Sequence, residues 1–124
     1  MNTRQIFEKV RDHLLEQKEK AYDESKDMCL YRAPNGNKCA IGALIKDEYY
    51  DLGFEGLGIF QLADDYKSPN VYIEKFRQAL CKSLGVDFLS EEVRLMLNDL
   101  QIIHDEDEPT YWQEALNRYE VNYF

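Results

Sequence analysis

Apolar residues recur at helical spacing over most of this chain. Ile6, Phe7, Val10, Leu14 and Ala21 share one face of a segment from about residue 4 to about 21, with Thr3 as its N-cap and charged residues opposite. A second such segment starts at Ser68-Pro69, a cap followed by a first-turn proline. It carries Tyr72, Phe76, Leu80 and Leu84 on one side, and Gly85 ends it. Ser90 caps a third, whose inward stripe is Val93, Met96, Leu97, Leu100 and Ile103 and whose first turn holds Glu91 and Glu92, the favourable charge for a helix start. Asp105 to Pro109 breaks the chain, and a last helix from about Thr110 presents Tyr111, Trp112, Ala115, Leu116 and Tyr119.

Between the first and second of these the pattern changes. Residues 22 to 27 read as a loop and Met28 to Arg32 as a short strand, which meets Pro34-Asn35-Gly36. Proline presets the first turn position and Asn-Gly tolerates positive φ, so a tight hairpin near residues 28–39 is expected. The apolar run Cys39 to Ile45 reads as a short buried helix. Gly42 within it costs about 1 kcal/mol relative to alanine, which points to another backbone or a ligand approaching closely. Residues 47 to 58 look irregular, with a short helix following at about Ile59 to Tyr66. The expected fold is α+β and predominantly helical: one domain over residues 1–124, four or more helices around one core, and a small hairpin.

Composition agrees with a folded chain and narrows its partners. With 124 residues, 44% hydrophobic and 13% aromatic, the sequence can bury a core without disulfides or metal. No uncharged run approaches the ~20 residues that span a bilayer, and the first twenty residues are charged and amphipathic rather than signal-like. Three cysteines then read as reduced thiols in a cytoplasmic protein, although Cys29 and Cys39 could still face each other across a hairpin. A net charge of −9 opposes direct DNA binding, which needs a basic face to displace counterions. The aromatic C-terminal helix, with Tyr111, Trp112, Tyr119, Tyr123 and Phe124, exceeds what one small core absorbs and offers a surface for homo-oligomerisation.

One segment runs against the overall charge. Residues 26–46 hold Lys26, Arg32, Lys38 and Lys46 against the single acid Asp27, a net +3 in a chain of −9. Tyr31, Arg32 and Lys38, with the N–H groups leading to Gly42, could converge on an anionic ligand such as a nucleotide. The alternative is pairing of Arg32, Lys38 and Lys46 with Asp47, Glu48 or Asp51, which holds the following loop. Neither a P-loop nor a dinucleotide fingerprint is present, and no cofactor is expected.

Cys39 raises a different chemistry. It stands beside Lys38 where a turn gives way to a helix, a setting that favours the thiolate. His104 is the candidate base: eleven residues after Val93 brings it within about 20° of the same direction, on the inward face. Asp105 points about 100° away and is not expected to orient it. Buried cysteines and inward histidines also serve as ordinary core residues. No metal site is expected, because Cys29, Cys39, Cys81, His13 and His104 form no CxxC or HxxxH pair. Asp105 to Glu108 lacks the calcium-loop pattern and reads as a solvated junction.

Cys29-Leu30-Tyr31-Arg32, Gly36-Asn37-Lys38-Cys39-Ala40-Ile41-Gly42-Ala43-Leu44-Ile45, Asp47-Glu48-Tyr49-Tyr50, Glu55-Gly56 and Leu100-Gln101-Ile102-Ile103-His104-Asp105 resemble a pattern in small, mostly uncharacterised proteins of bacteriophages and prophages. The resemblance covers about residues 28–56 and 97–116. It implies a small accessory protein made in the bacterial cytoplasm, of the kind that modulates host machinery or counters host defence. It also implies that the hairpin and the His104 segment belong to one structural feature. Two functions follow as expectations. The first is a non-enzymatic binding module or inhibitor of a host protein, with an anion site at Tyr31, Arg32, Lys38 and Gly42. The second is a small thiol hydrolase or transferase with Cys39 as nucleophile and His104 as base.

Overall fold

Five helices and one short antiparallel ladder account for the regular structure in the computed structural model, which describes residues 1–124. Helix α1 (Thr3–Gln17) is capped by Asn2 rather than Thr3. The Asn2 side chain accepts the Gln5 N–H at 2.8 Å, and the Gln5 side chain accepts the Asn2 N–H at 2.9 Å. The helix ends at Gln17, four residues before Ala21, and the next residue, Lys18, adopts the left-handed conformation and bonds back to the Leu14 carbonyl. Ala21 is buried all the same, from an extended segment that leads into β1 (Tyr22–Asp23).

β1 pairs with β2 (Met28–Cys29), Tyr22 opposite Cys29 and Asp23 opposite Met28. The hairpin therefore forms, with its ladder displaced toward the N-terminus. Residues 22–27 supply one strand and its turn, where the sequence reading has a loop. The Asp23 carboxylate stabilises that turn by accepting the Ser25 N–H at 3.0 Å and its hydroxyl at 2.6 Å. Residues 28–39 then double back through the Pro34-Asn35-Gly36 turn, closed by a single bridge, Arg32 to Lys38. Gly36 sits at φ +92°, as the turn requires.

Helix α2 (Ala40–Leu44) follows directly, and Asp47–Tyr49, Leu52–Phe54 and Ile59–Leu62 are single 3-10 turns. Helix α3 (Tyr72–Leu84) begins later than Ser68-Pro69 suggests. Ser68 Oγ accepts the Asn70 N–H and Asn70 Oδ1 accepts the Tyr72 N–H, and these local bonds make a turn in place of a first helical turn. Tyr72 is consequently exposed, and Ile73 joins Phe76, Leu80 and Leu84 on the buried side. Gly85 ends the helix at φ +70°. In α4 (Glu91–Glu106) Ser90 accepts the Val93 N–H at 3.1 Å, and the helix runs through Asp105 before the chain breaks at Asp107. A 3-10 turn, Pro109–Tyr111, leads into α5 (Trp112–Tyr123).

One cluster of buried side chains draws on all five helices and the loops between them. Tyr31, Phe76 and Phe54 form a chain of rings 5.3 and 5.0 Å apart. Of the C-terminal aromatics Trp112 is fully buried and Tyr119 and Phe124 pack on Phe7 at 6.0 and 5.7 Å, while Tyr111 and Phe124 remain partly open to solvent, 60% and 44% exposed. No helix is long and apolar enough to cross a membrane.

Burial, reinforced by neighbouring carboxylates, raises the pKa of four of the nine tyrosines, Tyr31, Tyr50, Tyr119 and Tyr123, the last to about 12. A phenol whose folded value lies above its unfolded value stabilises the fold below the unfolded value, near 10, and loses that contribution as pH rises through the folded one. Phenolate absorbance is expected to show these four titrating late, together with loss of helical circular dichroism above about pH 10. Complete phenolate formation in one step with the fold intact would contradict this.

Candidate functional site

The basic segment already holds anions, and they are the chain's own. Consecutive N–H groups of Tyr31 and Arg32 donate to the two oxygens of Glu55 at 2.8 and 3.1 Å, and the Tyr50 hydroxyl donates to the same carboxylate. Tyr31 turns its hydroxyl inward to the Leu57 carbonyl, which leaves no ring face for a base or sugar. The Arg32 guanidinium pairs with Asp47 at 2.8 Å, donates to the Ile45 carbonyl at 2.6 Å and lies over the Tyr50 ring at 4.5 Å. Lys38 reaches the same Asp47 oxygen at 3.3 Å. The Lys38 and Arg32 charges hold the Asp47 carboxyl below its usual value. Gly42 faces backbone: a Cβ there would stand 1.9 Å from the Tyr31 carbonyl oxygen. Replacing Glu55 by alanine is expected to cost about 2 kcal/mol, read by urea denaturation, because two backbone donors and a phenol lose one charged acceptor. Glu55→Gln, which keeps one carbonyl oxygen, should lose about half as much.

Cys39 and His104 are positioned by equally internal bonds. Cys39 is fully buried, and its sulfur caps α2 by accepting the Gly42 N–H at 3.3 Å. Burial pushes the thiol well above its ordinary value, outweighing the opposing bond from Gly42. The group is a neutral thiol at pH 7. His104 is also fully buried, on the inward face that helical phase predicts. Its Nε2 accepts the Ala21 N–H at 3.0 Å, which assigns the ring proton to Nδ1, and Nδ1–H donates to Asp105 Oδ1 at 2.7 Å. Asp105 thus does orient His104, bending back toward it although the two residues are adjacent on the helix. The imidazole stacks on Trp112, 5.5 Å between centroids. Neither ring nitrogen bonds Cys39, and neither has a lone pair left to take its proton.

A grouping that spacing does not reveal is Cys29, His104 and Asp105, whose ligating atoms lie within 4.8 Å of one another. β2 brings Cys29 to the C-terminal part of α4, so the hairpin and the His104 segment meet. A cation bound to His104 would require both ring nitrogens deprotonated, or the Ala21 N–H left unpaired in the core. Two ligands, Cys29 and Asp105, then remain, fewer than a closed site needs. Burial first, then the Asp105 charge, raises the Cys29 thiol as well.

The open surface adjoins this grouping, and Cys29 and Asp105 line its narrower end. Two adjoining cavities, of about 540 and 290 Å³, run between α4 and the segment 55–65, and they share Ile59, Phe60 and Asn98. Together they make one trough. Phe60 and Leu95 line the larger part, Phe60, Ile102 and Met28 the smaller. Phe60 is 69% exposed, Leu95 57% and Ile102 44%, although each is an apolar residue in a regular element or turn. Hydrophobic periodicity cannot find such a surface, because it counts apolar positions without saying which of them lack a neighbour. No protein-family model, curated protein or solved structure matches this chain.

Proposed function

We propose that the chain is a non-enzymatic binding protein that engages a partner protein through the trough between α4 and residues 55–65. The phage-type resemblance adds a context, that of an accessory protein acting on host machinery, defence included, in the bacterial cytoplasm. The observation that carries the reading is the exposure of Phe60, Leu95 and Ile102 side by side in one concave surface. Exposed apolar side chains gathered in a groove are what interfaces bury. The thiol-enzyme alternative has a neutral, buried Cys39 and a histidine with both nitrogens engaged. A small anion at Arg32 and Lys38 would have to displace Asp47.

The test is affinity capture from bacterial lysate with the tagged wild type and with Phe60→Ser/Leu95→Ser/Ile102→Ser. All three positions are exposed, so the variant should fold, and circular dichroism checks that it does. A protein retained by the wild type and by Cys39→Ser, yet lost with the triple variant, supports the reading. A protein retained equally by the triple variant, or none above bare resin, overturns it.

A further inference from the structure

We infer that the occupant of the trough is a positively charged amphipathic helix of the partner, an inference that rests on the binding reading above. Leu95, Asn98 and Ile102 stand at positions i, i+3 and i+7 of α4, within about 60° of one direction and spread over about 10 Å of helix axis. Phe60 faces them from the opposite wall, and the two cavities join at Asn98. A trough of that length, floored by a helix and walled by apolar side chains, accommodates a helix whose anchors repeat at i, i+3 or i+4, and i+7.

Charge decides among occupants. Asp64, Asp65 and Glu91 line the larger cavity, and none of the three has an ion-pair or hydrogen-bonded side-chain partner in the protein. The one cation that lines the same cavity, Arg94, makes no salt bridge, and its buried Nε has no acceptor; Lys67 and Arg77 share a neighbouring cavity with Asp64 alone of the three acids. Asp105 and Glu55 add negative charge at the smaller end. A lysine- or arginine-bearing helix neutralises this rim, and a polar oxygen on it satisfies Arg94. A second copy of the chain would bring the same acids against themselves, in a protein already at −9. Nucleic acid meets the same repulsion.

The probe is a displayed library of random peptides long enough for about four helical turns, selected on the immobilised full chain. Enriched sequences are expected to carry large apolar residues at i, i+3 or i+4, and i+7 and a net positive charge. A synthetic copy of the leading sequence should bind about tenfold more weakly to Phe60→Ser/Leu95→Ser. It should weaken comparably on Asp64→Asn/Asp65→Asn/Glu91→Gln, which leaves the apolar wall untouched, and with added salt. Enrichment of acidic or unpatterned sequences, retention by both variants, or no enrichment overturns the inference. Sedimentation showing a dimer that dissociates in the Phe60→Ser/Leu95→Ser variant would also overturn it, in favour of a second copy. If trough-dependent capture from lysate succeeds while basic peptides fail, only the partner's chemistry is wrong; if both fail, the binding reading falls with it.

Discussion

Gly42→Ala is expected to lower stability by at least about 3 kcal/mol, the effect of a methyl group forced against backbone. The added Cβ would lie 1.9 Å from the Tyr31 carbonyl oxygen and 2.7 Å from its carbon. Neither atom is free to move. The Tyr31 carbonyl accepts the Cys39 N–H at 3.1 Å, and the Tyr31 N–H is held by Glu55. Relief therefore requires α2 to separate from the 31–32 segment, opening the bridge to Lys38 and the core around Ile41 and Leu44. Thermal unfolding should show a midpoint lower by about 10 °C or more. A change of only a degree or two would mean that this contact is looser than the geometry states.

His104→Ala is expected to cost roughly 3–5 kcal/mol, the sum of a cavity against Trp112 and an unpaired Ala21 N–H in the core. The second part separates this substitution from simple truncation. His104→Gln offers a carbonyl oxygen near the same place and should recover about half of the loss in urea denaturation. Hydrogen exchange at the Ala21 amide gives a local reading: slow in the wild type, fast in His104→Ala, intermediate in His104→Gln. Equal losses for the alanine and glutamine variants, with Ala21 exchange unchanged, would contradict the role assigned to Nε2.

The helices were legible wherever a period and a cap agreed, as at Ser90 and Gly85. They were misplaced where side chains compete with the backbone. Ser68 and Asn70 make their own turn before α3, and Lys18 ends α1 in a conformation that sequence rules reserve mainly for glycine. The ladder of Tyr22–Asp23 with Met28–Cys29 is too short to carry a period of two. At the basic segment, acids close by in sequence were visible as partners for Arg32 and Lys38, and Asp47 is among them. What was not visible is that Glu55, at the end of the same acidic loop, binds backbone N–H groups, which leave no trace in composition. For His104 the inward direction follows from helical phase, whereas its bond to Ala21 spans 83 residues and emerges only in the fold. Gly42 announced a close approach, and the approaching group is the Tyr31 carbonyl.

The residues that look most like chemistry, Cys39 and His104, are held by bonds that serve the fold, and the surface open to a partner lies beyond them. Alkylation of the folded protein by iodoacetamide, followed across pH for each cysteine by peptide mass mapping, tests this most directly. Half-buried Cys29 and Cys81 should react first, with rates that rise only toward alkaline pH. Cys39 should react no faster than the protein unfolds, at every pH where the fold persists. Rapid labelling of Cys39 in the folded protein at neutral pH, slowed by His104→Gln, would contradict it and restore a thiol nucleophile with a histidine base.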